Sequence, residues 1–192
     1  MRARVSGRRV PRALVPGPRR AAAAALFVAC LGVTAPAAAF EREWHLGVGV
    51  GATDLTATGV GWGPEVGAHG AYGITDSFDV RLESRLALLP VSHRSVDEWR
   101  GFLRTEAALA YKIDILRWVP WISVGAGYFL AFEEPLPVQD LRRHDGLVSG
   151  MLGLDYAVSR SFGVGVVGRS AFLFAGSWEY GAQLRAEYRW GF

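Results

Sequence analysis

The sequence predicts an all-β protein built as an eight-stranded antiparallel up-and-down β-barrel. In eight segments apolar residues alternate with polar residues or glycine, turn-like stretches separate these segments, and no segment has helical periodicity. Alternation is the period of a β-strand, whose side chains point to opposite faces of the sheet. The predicted strands cover residues 44–52, 60–72, 78–88, 99–113, 120–130, 148–158, 162–174 and 178–192.

The last predicted strand, WEYGAQLRAEYRWGF at 178–192, carries the clearest alternation. Every second residue from Trp178 to Phe192 is apolar, and a helix would scatter these residues around its circumference. The strand is long compared with the usual five or six residues. Since chain ends fray unless they are paired, we expect this strand to close the barrel against the first one.

The connections between the predicted strands differ in length. Three are tight, ITDS at 74–77, DILRW at 114–118 and SRS at 159–161, whereas those at 92–98 and 132–145 are longer and more charged. Short turns at one end are typical of an up-and-down meander. The connection at 132–145 is the best candidate for contact with lipopolysaccharide or another external partner.

The first 39 residues differ in composition from the rest of the chain. They contain seven arginines and no acidic residue, followed by the apolar run AAAAALFVACLGV and the small-residue stretch TAPAAAF. This order predicts a signal peptide at 1–39, cleaved after Ala39 or alternatively after Ala37, and a barrel domain at 40–192. The apolar run is short for a membrane-spanning helix, so a retained anchor is the weaker alternative.

Removal of this segment changes the charge and the cysteine content. Residues 40–192 hold 14 basic and 18 acidic residues, a net charge of −4, so the sequence pI of 9.3 gives no reason to expect a nucleic-acid partner. The only cysteine, Cys30, lies in the apolar run, where LFVAC also leaves a lipid anchor open. The predicted mature chain therefore has neither disulfides nor cysteine-ligated metal.

Two features indicate that the apolar face meets lipid. A lipocalin-like soluble barrel would instead turn this face inward. Aromatic residues lie at both ends of the last strand; Tyr180 to Tyr188 spans about 20 Å and Trp178 to Trp190 about 30 Å, which brackets the apolar band of outer-membrane barrels. The other feature is that many glycines share the polar face, where a narrow lumen leaves little room: Gly47, Gly49, Gly51, Gly61, Gly63, Gly67, Gly125, Gly127, Gly163 and Gly165. The prediction is thus a transmembrane β-barrel.

The ending EYRWGF resembles the C-terminal assembly signal of bacterial outer-membrane proteins, with Tyr188, Trp190 and Phe192 at the alternate positions. The whole predicted mature chain resembles the small OmpA/OmpX/OmpW-type barrels, and YGITDSFDVRLE at 72–83 is similar to their first periplasmic hairpin. The resemblance implies a Gram-negative outer-membrane location with both mature termini in the periplasm. It also implies four partners: outer-membrane lipid, lipopolysaccharide, the barrel-assembly machinery and periplasmic chaperones.

Charges of both signs lie on the predicted lumen face and should form a hydrogen-bonded network of ion pairs, because unpaired charges are costly in a narrow space. We interpret this network as an interior plug, with a narrow polar or cationic conduit as the alternative. The predicted network comprises Arg81, Glu83, Arg85, Arg100, Arg104, Glu106, Lys112, Arg185, Glu187 and Arg189, and Asp155, Arg169 and Glu179 share the same face.

The sequence gives little support for catalysis. His93 and Ser95 in SHRS, with Glu106 on the next strand, match the residue types of an eight-stranded lipid A deacylase barrel, but not the residues around its motif. The remaining histidines are scattered over separate elements without metal-ligand spacing. We therefore expect no catalytic, metal or cofactor site, and a structural or envelope-interaction role for a porin-like protein. The alternatives are a passive conduit for small polar or hydrophobic solutes and a lipid A-modifying enzyme.

Overall fold

The structure is a computed structural model that describes residues 42–93, 96–113, 115, 117–132 and 141–191. The predicted signal peptide lies outside the described residues. No helix among the described residues is long and apolar enough to cross a membrane. The strands are β1 Trp44–Leu55, β2 Gly63–Gly73, β3 Phe78–His93, β4 Val96–Lys112, β5 Trp118–Ala131, β6 His144–Ala157, β7 Phe162–Leu173 and β8 Trp178–Trp190.

The eight strands form a closed antiparallel barrel in which each strand pairs with the next and β1 pairs with β8. The closing pair runs in one continuous register from Trp44 opposite Trp190 to Leu55 opposite Glu179. The predicted fold class is therefore confirmed. The last strand is paired along both edges, by β7 and by β1, as expected for the strand that closes the barrel.

We call the end of the barrel that holds Arg42 and Gly191 the terminal end, and the opposite end the loop end. The connections at the terminal end span 74–77, 113–117 and 158–161. Those at the loop end span 56–62, 94–95, 132–143 and 174–177. The 132–143 connection is thus the longest, as the sequence predicted.

The prediction of a longer, charged connection at 92–98 is wrong. β3 continues to His93 and β4 begins at Val96, with these two residues opposite each other at the tip of the hairpin. Polar residues near the tip hide the alternation in the sequence, but the backbone ladder does not depend on side-chain polarity. The hairpin is supported on one side by the β1–β2 connection, where Val60 forms a bridge with Val91.

Val60 itself corrects a second prediction, since the sequence placed it on the outward face of the second strand. It lies in the connection before β2 and packs against the apolar residues inside the barrel. The strand begins only at Gly63. Outward side chains of β2 are thus fewer than predicted.

The outward face of the barrel is a continuous apolar surface. Val124 is 67 % exposed and Leu184 is 63 % exposed, and similar residues line every strand. Soluble monomers rarely expose contiguous apolar patches larger than a few hundred Å², whereas a lipid-facing barrel requires such a surface. Aromatic pairs border it at both ends: Trp44–Tyr72, Phe78–Tyr111 and Trp118–Tyr156 at the terminal end, and Phe172–Trp178 at the loop end.

Glycines on the inward face make space for large side chains on neighbouring strands. A Cβ atom at Gly153 would lie 2.1 Å from the ring of Trp121, the residue opposite it on β5. A Cβ atom at Gly49 would lie 2.5 Å from the side chain of Gln183 on β8. The narrow lumen therefore holds its large residues only because their neighbours have no side chain.

Candidate functional site

The lumen is the candidate functional site because nearly every buried ionisable group of the described residues lies there. It is divided into two parts. The charged zone begins at the terminal end and fills most of the lumen. It contains Glu43, His45, Glu65, His69, Asp79, Arg81, Glu83, Arg85, Arg104, Glu106, Lys112, Asp155, Arg169, Glu179, Arg185, Glu187 and Arg189, all buried.

Asp79 connects two cations close to the terminal end. Lys112 Nζ lies 2.6 Å from Asp79 Oδ1, and Arg81 donates to Asp79 Oδ2 at 3.3 Å. Asp79 is 0 % exposed and Arg81 is 1 % exposed. A carboxylate placed so deep is stable only with such partners, because its desolvation is costly.

Trp121 contacts two arginines of this zone. The guanidinium carbon of Arg81 is 4.0 Å from the centre of the Trp121 ring, and that of Arg185 is 4.6 Å away. The aromatic face attracts both cations. Arg185 is also held by Asp155, to which its Nε donates at 2.8 Å. The indole thus fills the lumen and keeps two like charges in place.

Glu187 is a second centre near the terminal end. Arg189 donates to it through Nε at 2.7 Å, and His45 and His69 lie 3.4 Å and 3.5 Å from its two oxygens. Glu43 lies 3.4 Å from the other ring nitrogen of His45. The sequence analysis placed these histidines on separate elements. In the structure, β1 and β2 bring both rings to the Glu187 carboxylate of β8.

In the middle of the lumen, Glu106 accepts hydrogen bonds from two strands. Arg104 donates to its Oε2 at 2.6 Å and Ser149 at 2.5 Å. Arg85 pairs with Glu83 and also contacts the sulfur of Met151 at 3.6 Å. These contacts join β3, β4 and β6 across the lumen.

Arg169 forms the most extensive contacts of the charged zone. It donates to Glu65 through Nη1 at 3.0 Å, to Glu179 through Nη2 at 2.7 Å and to Thr53 through Nη2 at 3.1 Å. Arg104 adds a second cation 3.0 Å from the same Glu179 oxygen. Five strands, β1, β2, β4, β7 and β8, are thereby tied together across the lumen.

Beyond Arg169 the lumen changes character and forms the apolar zone at the loop end. The Phe102 and Phe129 rings stack at 5.4 Å, next to a cavity of about 10 Å³ that separates the two zones. Such a cavity holds about one water molecule. The apolar zone comprises Leu55, Ala57, Ala87, Leu89, Val91, Phe102, Phe129, Ala131, Leu141, Leu147, Ala171 and Leu173.

The structure places nine residues of the predicted network in the charged zone. Arg100 lies apart, at the loop end of β4, where it pairs with Glu98. Glu65 and Asp79 were left out of the predicted network, although both occupy the polar face of their strands, and Trp121 was missed. In β5, Trp121 lies two residues before Ser123, and side chains two residues apart share a face. This spacing was the signal that could have placed Trp121 in the lumen.

The apolar zone was also missed, because a polar lumen was expected throughout. At the loop end the inward residues are apolar too, so period-2 alternation disappears there. Continuous apolar runs mark the places: LALLPV at 86–91, YFLAF at 128–132 and AFLF at 171–174.

The predicted contact connection at 132–145 is described only in part, since Glu133, Glu134 and Asp140 lie outside the described residues. Arg142 and Arg143 are exposed at the loop end. The expectation for Asp145 is wrong: it is buried on β6, where its Oδ2 accepts from the Ala175 backbone N–H at 2.7 Å. It therefore holds the β7–β8 turn.

Of the His93, Ser95 and Glu106 combination, His93 and Glu106 lie far apart along the barrel. Ser95 lies outside the described residues. His93 is at the hairpin tip opposite Val96, and Val96 precedes Glu106 by ten residues on β4. At the strand rise this is a separation of about 33 Å. Within the described part of the chain, no set of three or more His, Cys, Asp or Glu residues is arranged to hold a metal ion.

Of the predicted assembly signal, Tyr188 and Trp190 lie on the outward face of β8, with their rings stacked at 6.0 Å. Phe192 lies outside the described residues. Trp190 is opposite Trp44 at the closing pair of strands. The two described aromatic residues thus belong to the aromatic border at the terminal end.

Comparison with solved structures supports the fold. Neisserial surface protein A superposes with a TM-score of 0.61 at 9 % identity, covering 77 % of this chain and 99 % of that one. Ail, the attachment invasion locus protein of Yersinia pestis, gives 0.56 at 14 % identity over 78 % and 99 %. OprG from Pseudomonas aeruginosa gives 0.56 at 12 % identity over 80 % and 98 %. Identities this low establish the fold alone.

Among the curated proteins, none matches this sequence. The family model described as outer membrane protein beta-barrel domain matches residues 23–189, which is most of the chain. That match agrees with the closed barrel, its apolar outward face and its charged lumen. The chain therefore belongs to the family of outer membrane β-barrel proteins.

Proposed function

We propose that this protein is a non-enzymatic component of the outer membrane whose barrel is closed to solutes and serves a structural or envelope-interaction role. The observation that carries the proposal is the filled lumen. Paired charges occupy it from the terminal end to Arg169, and apolar side chains occupy the remainder. The cavity of about 10 Å³ between the two zones leaves room for about one water molecule.

The pairing of the charges supports a structural role for the network. Arg169 donates to both Glu65 and Glu179, and Asp79 is shared by Arg81 and Lys112. A conduit for ions would need groups that exchange partners with a passing solute. Here each of these charges already has a protein partner in a space without bulk water.

The apolar zone supports closure at the loop end. Its side chains come from β1, β3, β4, β5, β6 and β7 and meet in the centre of the lumen. An apolar constriction opposes the passage of water and ions even without a steric block. Hydrated solutes would therefore meet two different barriers in series.

We further propose the orientation and the surroundings that the family resemblance implies. Both mature termini lie in the periplasm, and the loop end faces outward among lipopolysaccharide. The aromatic borders at the two ends support a membrane position between them. The β3–β4 hairpin has only a two-residue connection, so the 132–143 connection offers the main external surface.

The wide separation of Glu106 from the hairpin tip supports the absence of lipid A chemistry. Glu106 is also engaged by Arg104 and Ser149. Mass spectrometry of lipid A from cells with and without the protein tests this: we expect identical spectra. Loss or gain of an acyl chain upon expression would assign an enzyme and contradict the proposal.

Single-channel recording in planar bilayers tests closure. The purified protein should give no unitary conductance steps, while a general porin in the same bilayer should give steps. Steady steps that scale with the number of inserted barrels would contradict closure and support a passive conduit instead.

We also propose that Tyr188, Trp190 and Phe192 act as the assembly signal read by the barrel-assembly machinery. Deletion of Phe192 should lower the fraction of protein that shows a heat-dependent mobility shift in outer-membrane fractions. Deletion of a residue from the predicted signal-peptide n-region, such as Arg2, is the control. An unchanged assembled fraction after the Phe192 deletion would refute this role.

A further inference from the structure

Two buried histidines lie where the first strand pairs with the last. His45 of β1 is opposite Arg189 of β8. Two residues along β1, Gly47 lies between His69 of β2 and Glu187 of β8. A Cβ atom at Gly47 would lie 2.3 Å from the His69 ring, so this ring crosses Gly47 on its way to Glu187. Side chains of three neighbouring strands therefore meet at the closing pair, β1 and β8.

His45 has a carboxylate at each of its two ring nitrogens. Nδ1 lies 3.4 Å from Glu187 Oε1, and Nε2 lies 3.4 Å from Glu43 Oε2. An ionised carboxylate only accepts hydrogen bonds, whereas a neutral imidazole has one N–H and one bare nitrogen. A neutral His45 between two ionised carboxylates would therefore hold a lone pair against one of them. The arrangement requires one additional proton, either on His45 or on one of the carboxylates.

Glu43 depends on this ring more than Glu187 does. It is 1 % exposed, and its backbone carbonyl accepts from the Gly73 N–H at 2.9 Å, which fixes it beside β2. Among the described residues no group donates a hydrogen bond to the Glu43 carboxylate, and its ion-pair contact is with His45. Glu187 also accepts from Arg189 Nε at 2.7 Å. A neutral His45 would thus leave Glu43, in the described part of the chain, as a buried anion without a cation.

The charge balance of the charged zone indicates the same missing proton. Its described residues include eight carboxylic acids but seven lysine and arginine side chains. With every acid ionised and both histidines neutral, one buried negative charge would be uncompensated, which is costly in a space without bulk water. One additional proton removes this imbalance. An imidazole is a stronger base than a carboxylate by about two pH units, which favours the ring as its place.

Charged groups surround His45 on four strands and decide how well it holds a charge. In the described part of the chain they are Glu43, His69 of β2, Asp79 of β3, Lys112 of β4, and Arg185, Glu187 and Arg189 of β8. Lys112 opposes a positive charge at His45, but its Nζ lies 2.6 Å from Asp79. Arg189 and Arg185 both contact Glu187. Glu43 is therefore the anion that His45 itself has to balance.

We propose that His45 carries this additional proton at neutral pH, and that the resulting imidazolium stabilises the closing pair of strands and makes it sensitive to alkaline pH. Loss of the proton turns a bare nitrogen toward a carboxylate and leaves Glu43 unbalanced. Since protonation favours the folded barrel, this stabilisation is lost as the pH rises. The device goes beyond the proposed structural role and does not depend on whether the lumen conducts.

Imidazole ¹⁵N NMR of the protein in lipid nanodiscs detects the proton directly. At neutral pH we expect both His45 ring nitrogens to be protonated. Glu43→Gln removes the buried anion and should leave His45 with one bare nitrogen, whereas the exposed Glu98→Gln is the matched control and should leave both nitrogens protonated. A bare His45 nitrogen in the native protein would overturn the proposal, as would two protonated nitrogens in Glu43→Gln.

Urea unfolding in lipid vesicles at two pH values measures the effect on the barrel. From pH 7 to about pH 9, the folding equilibrium constant of the native protein should fall at least about tenfold more than that of His45→Gln. His69→Gln keeps His45 and both of its carboxylates, so it should retain the native pH dependence. Equal pH dependence of the native protein and His45→Gln would contradict the proposal. If His45→Gln does not fold, Glu43→Gln takes its place with the same expectation, and the NMR result on the native protein stands independently.

Discussion

The charged zone and the apolar zone both fill the lumen, but they do so by opposite means. In the charged zone, side chains are held by directional contacts, such as Arg169 with Glu65 and Glu179. In the apolar zone, side chains such as Leu89 and Leu173 are held by packing alone. Both leave little empty space, but a paired charge depends on one specific partner, whereas a leucine depends on volume.

The two zones should tolerate substitutions differently. Ion pairs restrict the charged zone to one arrangement, because breaking a buried pair leaves an uncompensated charge. The apolar zone can repack, because hydrophobic groups of similar volume replace one another at little cost. We therefore expect the loop end of the lumen to be the adaptable part of the molecule and the charged zone to be its rigid part.

Removal of a central cation should have the largest effect. Arg169→Met leaves Glu65 and Glu179 with fewer partners and should lower the free energy of unfolding by about 3–5 kcal/mol. Urea unfolding in lipid vesicles, followed by tryptophan fluorescence, measures this. The exposed Arg142→Met is the matched control and should change stability by no more than about 0.5 kcal/mol.

A second variant tests the contribution of the Glu65 carboxylate to this loss of stability. Adding Glu65→Leu to Arg169→Met removes one of the stranded carboxylates and should recover part of the lost stability. If the double variant is less stable than Arg169→Met alone, the carboxylate has enough other partners and the described pairing does not account for its burial.

Leu89→Ala in the apolar zone should cost about 3 kcal/mol, since it loses hydrocarbon burial and leaves a cavity. Its matched control on the outward face, Leu46→Ala, should cost about 1–2 kcal/mol, because lipid chains can fill the space. The same unfolding experiment compares them. Equal costs would mean that the apolar zone is as fluid as the bilayer.

Gly153→Ala should cost about 2 kcal/mol, because a Cβ atom there would overlap the Trp121 ring, which itself contacts Arg81 and Arg185. Gly168 faces outward, and a Cβ atom added there would meet nothing within 4 Å, so Gly168→Ala should be neutral within about 0.5 kcal/mol. A neutral Gly153→Ala would show that Trp121 moves freely in the lumen.

The smallest effect concerns the buried carboxylate beside the apolar zone. Asp145→Ala removes the acceptor for the Ala175 N–H and should cost about 1 kcal/mol, whereas Asp145→Asn keeps an acceptor and should cost less. Hydrogen exchange of the Ala175 amide measures the local change. Unchanged protection in Asp145→Ala would refute its role in the β7–β8 turn.

Much of this fold follows from alternation. The strand at 178–192 was predicted from its two faces, and the structure gives Trp178–Trp190. The lumen was only partly predictable. The inward positions of Arg81 and Glu187 follow from the alternation of their strands. The contact of Glu187 with His45 and His69 depends on closure between β1 and β8, which no local pattern encodes.

The apolar zone was not predictable from alternation, because both faces of the strands are apolar at the loop end. LALLPV at 86–91 reads as a run without a period, so the inward Leu89 cannot be told from the outward Leu88. The burial of Leu141 was equally hidden, since it lies in a connection and depends on where that connection meets the barrel.

The most direct test of the closed lumen is thiol labelling of the protein in lipid nanodiscs, where reagent reaches both ends. The only cysteine, Cys30, lies in the predicted signal peptide, so the predicted mature chain has no cysteine of its own to react. Ser149→Cys, in the buried charged zone, should react at least about a hundredfold more slowly with a charged methanethiosulfonate than Thr58→Cys at the exposed rim, and the two should react equally in urea. Similar rates at both sites in the folded barrel would mean that water and ions reach the middle of the lumen, and would contradict its closure.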